Sequence, residues 1–187
     1  MEIILASQSP RRAALLRQYG LDFTIESSPA EESSEGNPAE LAVQNALRKA
    51  EAIAQKYPQA LTIGADTIVV LGERVLGKPS GQHEAYAMLR SLSGQVHQVI
   101  TGVALVGPDK TRTFAETTSV KFRDLSDDEI GAYVRSGEPL DKAGAYGIQG
   151  FGGLFVEAIH GCYFNVVGLP TPRLMLALRE FGIDVFR

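Results

Sequence analysis

The chain has 187 residues, 44% of them hydrophobic and 21% charged, which suits one buried core and leaves no room for several. Its 18 basic against 22 acidic residues give a net charge of -4, which argues against a long basic surface for a nucleic acid polymer and leaves any anionic ligand to local arginines, lysines or a metal. No apolar run approaches the ~18 residues of a membrane helix, no leader pattern precedes the strand-like residues 3–5, and Cys162 is the sole cysteine, so a reducing cytoplasm fits better than secretion, a membrane or a cysteine-based zinc site.

Helix and strand signals alternate without a repeat or a long linker, which predicts a single α/β domain over residues 1–187. Residues 3–5 read as a strand, and 10–19 as a helix with Pro10 in its first turn and Gly20 just past its end. A strand over 23–26 follows. Residues 27–40 are polar and read as a loop, from which Asn37 caps a long helix reaching Tyr57, where Pro58 stops it. Residues 61–71 are strand-like but broken at Gly64, Ala65 and Asp66, and Gly72-Glu73 turns the chain back through 75–78. A helix over 84–92 precedes a hairpin of 97–106 and 113–122, joined through Gly107, Pro108 and Asp109. Ser126 and Glu129 form a capping box for a helix ending at Gly137. Two short strands, 154–159 and 163–167, precede a closing helix from Thr171 to Gly182.

Four constellations carry chemistry. In S-Q-S-P-R-R, residues 7–12, Arg11 and Arg12 fall in a first helical turn, where the helix dipole disfavours cations. A bound phosphate would reverse that sign; otherwise both arginines point into water. In I-G-A-D-T-I-V-V, residues 63–70, Asp66 interrupts a run that should be buried, and a buried carboxylate needs a proton, a cation or a metal. The alternative is that Asp66 ends one strand in a bend allowed by Gly64. The Gly72-Glu73 turn would set Leu71 opposite Arg74 and Thr67 opposite Lys78, one residue from Asp66, and a bulge or fraying would be needed to bring Asp66 and Lys78 to one face. Residues 137–150 form a glycine-dense loop bearing Asp141, Lys142, Tyr146 and Gln149, either a plain turn or a ligand loop in which the Gln149 amide matches the edge of uracil or thymine. Finally, Glu31 and Glu32 lie in the polar loop, either solvated or offering carboxylates to Mg²⁺. His83, His97 and His160 show no metal-ligand spacing and read as surface or packed imidazoles.

Taken in order, S-Q-S-P-R-R, G-A-D-T followed by G-K-P, L-S-G-Q-V-H-Q-V-I-T-G-V and G-E-P-L-D-K-A-G-A-Y-G-I-Q-G resemble the Maf family of nucleoside triphosphate pyrophosphatases, from Ile3 to about Pro170. The resemblance implies a mixed twisted sheet flanked by helices, as in the inosine triphosphate pyrophosphatase fold, and a cytoplasmic homodimer dependent on a divalent metal cation, Mg²⁺ or Mn²⁺. It implies Asp66 as proton acceptor and Arg11, Thr67 and Gln149 as determinants of the nucleotide, with A-Y-G-I-Q-G similar to the branch that hydrolyses dTTP and UTP. Ser7, Arg12, Glu32, Lys78 and Lys142 match positions of the family's phosphate and metal site, with Asp66 and Glu32 holding the metal and Lys78 beside Asp66 in catalysis. The family's name also carries an alternative, a non-catalytic regulator of septum formation acting through a protein partner.

Overall fold

A computed structural model describes residues 1–186. The elements are β1 (Ile3–Ala6), α1 (Pro10–Gln18), β2 (Thr24–Ile25), α2 (Pro38–Ala54), β3 (Leu61–Leu71), β4 (Arg74–Leu76), α3 (Gln82–Leu92), β5 (Val96–Val106), β6 (Thr111–Phe122), α4 (Asp127–Arg135), β7 (Val156–His160), α5 (Tyr163–Val167) and α6 (Thr171–Arg179). The sheet runs β2-β1-β3-β5-β6-β7, with β4 on β3. It is mixed, as expected: β1 pairs in parallel with β2 and β3, whereas β4 runs antiparallel to β3 and β7 antiparallel to β6.

The residues group into two compact units. Met1–Asp66, Thr101–Glu116 and Gly168–Arg187 form the first, and Thr67–Ile100 with Thr117–Val167 form the second. The first buries Ile4, Ala6, Ile53 and Ala60 in one cluster and Ala46, Ala50 and Ala104 in another. The second has a core of aliphatic and aromatic side chains that includes Leu76, Leu89, Phe122, Ile130, Tyr146 and Phe155. Among the described residues no helix is long and apolar enough to cross a membrane.

Three expectations change. β3 is one continuous strand rather than a strand broken at Gly64. The glycine serves packing: a Cβ there would meet the Ala46 carbonyl oxygen at 2.2 Å, and one at Gly102 would meet that of Ala42 at the same distance. The helix α2 therefore lies directly against the strands through its Ala42, Ala46 and Ala50 face. The second change is at 163–167, which form the short helix α5 rather than a strand. Its β-branched and aromatic residues favour a strand, and side-chain bonds override that preference: buried Asn165 donates to the Val99 carbonyl and to Thr118 Oγ1, both at 3.0 Å. Third, β7 starts at Val156, because the glycine-punctuated stretch Phe151–Phe155 makes a 3-10 turn closed by Gly153 N–H on the Gly150 carbonyl at 3.0 Å.

Candidate active site

In the first unit, β1 runs into α1 through Ser7 and Ser9. Ser9 caps the helix, its Oγ accepting from the Arg12 N–H at 3.5 Å, and Pro10 opens it. The first turn carries no acidic residue but contains both Arg11 and Arg12. The alternative in which both guanidinium groups point into water does not hold for Arg12. Its Nε donates to the Gly168 carbonyl at 2.8 Å and an Nη to Ser7 Oγ at 3.2 Å. Burial draws the Arg12 pKa below its ordinary value, and the negative fields of Asp66 and Glu32 oppose that shift. Arg12 thus lies within the field of both carboxylates, and Arg11 sits beside it, half-buried.

Asp66 is 7% exposed in the middle of β3, so the reading in which it terminates a strand fails. A buried carboxylate requires partners, and α2 supplies two of them from successive turns. Lys49 Nζ donates to Asp66 Oδ1 at 2.8 Å, and Asn45 Nδ2 to Asp66 Oδ2 at 2.9 Å. Lys49 also reaches Glu32 Oε1 at 2.5 Å, so one ammonium bridges two carboxylates. Asn45 does more: its amide accepts from Ser33 N–H at 2.9 Å and donates to the Ser33 carbonyl at 3.1 Å. That pair of bonds pins the irregular polar segment onto α2 and holds Glu32 at Lys49. Of the two candidate loop carboxylates, Glu32 is the one brought to Asp66's partner.

The second unit holds Thr67, Lys78, Lys142 and Gln149. The expected hairpin is present with its register, Leu71 opposite Arg74 and Val69 opposite Leu76. It stops there. The ladder does not reach Thr67 opposite Lys78, because the Gly77 carbonyl accepts instead from the Gly144 N–H of the glycine-rich loop at 3.1 Å. Lys78 is exposed. Lys142 Nζ binds the Glu138 carbonyl at 2.5 Å and Asp141 Oδ1 at 2.7 Å, bracing the loop that bears it. Gln149 is exposed at the loop's tip.

That loop is irregular, with 3-10 turns at Glu138–Asp141 and Ala143–Ala145. Ala145 holds φ at +59°, a conformation costing about 1 kcal/mol that its surroundings must enforce. The next residue supplies the anchor: the Tyr146 hydroxyl meets His97 Nε2 at 2.7 Å within an aromatic cluster completed by Phe122. Burial pushes the Tyr146 phenol up and lowers His97 to about 4, so the imidazole is neutral at pH 7. The three histidines are surface or packed imidazoles as expected: His97 is packed, and His83 and His160 are exposed.

The family described as "Maf-like protein" matches residues 2–181. The chain belongs to the Maf family. A Bacillus cereus relative (strain AH820) named dTTP/UTP pyrophosphatase is 51% identical over 98% of this chain and 97% of its own length. A Bacillus anthracis relative of the same name shows the same identity and coverage. The solved structure of the Staphylococcus aureus Ham1 protein aligns with 66% of this chain and 73% of that one, at 20% identity and a TM-score of 0.48.

For this Maf chain, sequence reasoning passed over Asn45 and Lys49. Their signal was present: both interrupt the apolar face of α2 at a spacing of four, beside Ala46 and Ala50. A lysine and an asparagine on a buried helical face call for a buried partner as surely as Asp66 does.

The donor set also bears on a metal. Among the described residues no group of three or more His, Cys, Asp or Glu could enclose one. Asp66 and Glu32 nevertheless point one oxygen each at a single cation, the Lys49 ammonium. Two converging carboxylates without a full cage are what Mg²⁺ uses when substrate phosphates complete its shell. The residues fit a substrate-assisted divalent site.

Proposed function

We propose that this chain hydrolyses dTTP and UTP to the nucleoside monophosphate and pyrophosphate. The observation that carries the reading is Asp66, buried in mid-strand with Lys49 bonded to one of its oxygens and Asn45 to the other, and with Arg12 and Glu32 around it. A carboxylate fixed at both oxygens by rigid elements, with lone pairs to spare, is a positioned proton acceptor. The names of the two Bacillus relatives support the substrate.

A water attacks the α-phosphorus. Its oxygen forms the new P–O bond, its proton passes to an Asp66 oxygen, and the bond from the α-phosphorus to the bridging oxygen breaks to release pyrophosphate. Arg11 and Arg12, at a helix N-terminus whose free N–H groups favour anions, balance phosphate charge together with Ser7. Lys78 adds charge at the same step, and Lys142 does so by exchanging Asp141 for phosphate. Asp66 and Glu32 would hold a divalent cation, Mg²⁺ or Mn²⁺, which when bound neutralises phosphate charge and acidifies water. Lys49 keeps the two carboxylates at one point.

Gln149 and Thr67 read the base. A site built to pair with the uracil or thymine edge leaves its polar groups unpaired against cytosine, so CTP is a poor substrate. The cytoplasm, which suits the single free thiol of Cys162, and a homodimeric assembly complete the reading. Nothing favours the septum-regulator alternative. The test is a panel of canonical and modified nucleotides with Mg²⁺ or Mn²⁺, scored for products. Pyrophosphate released with dTMP or UMP is expected, whereas orthophosphate as the first product would replace the reading with a general phosphatase.

A further inference from the structure

The loop that carries Gln149 is closed by two side chains to which neither sequence nor mechanism has given a role. Tyr133, on α4, is buried to 5% exposure, and its hydroxyl uses both its capacities: it donates to Glu138 Oε1 at 2.9 Å and accepts from the Gly147 N–H at 3.2 Å. Glu138 in turn accepts from the Phe151 N–H at 3.2 Å and the Gly152 N–H at 3.4 Å. Both ends of the six-residue turn from Gly147 to Gly152 therefore meet at one phenol and carboxylate, and Gln149 stands between them. A side chain at Gly150 or Gly152 would push the turn and this pair apart. A Cβ on Gly150 would meet Glu138 Oε1 at 2.2 Å, and one on Gly152 would meet the Tyr133 oxygen at 2.7 Å.

We propose that Tyr133 and Glu138 are positioning residues for base selection, pinching the 147–152 turn so that the exposed Gln149 amide is presented to the pyrimidine in one orientation. The inference rests on the reading of Gln149 as the base-reading residue. Without the pinch, a turn of this glycine content samples many conformations, and ordering it on binding weakens affinity. Neither residue touches the reacting phosphates, so the loss falls on KM and on discrimination rather than on kcat. A purely structural role would lower stability and leave discrimination alone.

The test compares kcat and KM on dTTP, UTP and CTP for the full-length wild type, Tyr133→Phe, Glu138→Gln, Gln149→Ala and the double variant Tyr133→Phe/Gln149→Ala. Tyr133→Phe keeps the ring against Phe155, whose centroid is 5.0 Å away, and a thermal melt checks that it folds. Glu138→Gln leaves one acceptor oxygen where the carboxylate used two, so the Tyr133 hydroxyl and the Phe151 N–H can no longer both be accepted there and the pinch opens from its other side; one variant suffices if the other fails to fold. Each is expected to raise KM for dTTP and UTP about fivefold, the scale of one lost hydrogen bond, with kcat within about twofold. Each should narrow the preference for dTTP over CTP by about the same factor. In the Gln149→Ala background, Tyr133→Phe should leave that preference where Gln149→Ala put it. If Gln149→Ala narrows the preference while both positioning variants leave it intact, or if the effects add in the double variant, the positioning role is overturned and base reading by Gln149 stands. If Gln149→Ala leaves the preference intact, base reading falls and takes with it the proposal that the pinch serves Gln149.

Discussion

The charged cluster of the first unit and the glycine-rich loop of the second are held in opposite ways. Asp66, Asn45 and Lys49 project from a long strand and a long helix, and ions and an amide hold them together. The 137–152 loop has almost no regular structure and is held by side chains outside it, by Tyr133 working with the loop's own Glu138 at both ends of its tip and by His97 on Tyr146 further back. The difference fits the roles proposed for each. A proton acceptor is best served by a carboxylate fixed on regular elements. A base-reading amide would need close approach of backbone, which glycines allow at the cost of needing external support.

The largest effect should come from breaking the first region's chemistry while keeping its shape. Asp66→Asn preserves volume and leaves Lys49 its bond to Glu32. It should lower turnover by about a thousandfold or more while nucleotide binding stays measurable by calorimetry. Undiminished pyrophosphate release from this variant would remove Asp66 from the reaction. Gly64→Ala tests how the region is assembled. The added Cβ would meet backbone, the Ala46 carbonyl oxygen at 2.2 Å, which cannot give way as a flexible side chain would. The helix must shift, and with it Asn45 and Lys49. A loss of about 3 kcal/mol in urea unfolding is expected, the upper end of overpacking penalties, together with reduced turnover. An alanine tolerated with unchanged stability would show that α2 does not need this closeness.

These residues also show what was legible beforehand. Asp66 in a β-branched run and two arginines in a first helical turn are misplaced by elementary electrostatics, so the sequence exposes them as candidates. Gly64 beside Asp66 suggested a bend, because a glycine in a strand signals either a kink or a close neighbour. Only the helix packed against it decides between them. The strand at 61–71 and the long helix from Pro38 were readable from periodicity. The helix ends at Ala54 rather than Tyr57 because the Lys56 N–H tightens onto the Ile53 carbonyl at 2.9 Å. Tyr133 and Glu138 left no signal at all, since a contact between a helix residue and a 3-10 turn has no period to detect. The pairing of Thr67 with Lys78 does not form, because register extrapolates a ladder beyond the point where Gly144 takes the next carbonyl.

A third prediction sharpens the contrast through pH. His97 is buried with Nδ1 lacking a hydrogen-bond partner, and burial lowers its pKa from the ordinary 6.5 to about 4. The unfolded chain therefore binds a proton more readily than the folded one between those values. The contribution is complete above about pH 6.5 and is lost as pH falls toward 4, by at most about 3 kcal/mol. Urea midpoints measured at pH 7.5 and 4.5 should fall accordingly, and His97→Gln should flatten the difference. A midpoint equal at both values in the wild type would mean that the imidazole is solvated, and that the support for Tyr146 is looser than its 2.7 Å contact implies.

The smallest effect belongs to a helix N-terminus built with the signs reversed from that of α1. Ser126 caps α4, with Ser126 Oγ accepting from the Glu129 N–H at 3.2 Å and the Glu129 carboxylate accepting from the Ser126 N–H at 3.0 Å. Its first turn carries Asp127, Asp128 and Glu129, the charges a helix dipole favours, and Arg123 draws the Glu129 carboxyl down to about 2. This terminus satisfies itself and needs no anion. Ser126→Ala should therefore cost only the ordinary value of a cap, about 1 kcal/mol in chemical unfolding, and leave kcat and KM for dTTP unchanged. At α1 the cap and the charges pull in different directions. Ser9 satisfies the Arg12 N–H while two cations share the same turn, a placement that a bound anion would favour. If inorganic pyrophosphate raised the melting temperature of the wild type and of Ser126→Ala equally, but that of an Arg11→Ala variant much less, the anion would be assigned to α1 and excluded from α4. Equal protection of all three would place the anion elsewhere than at Arg11.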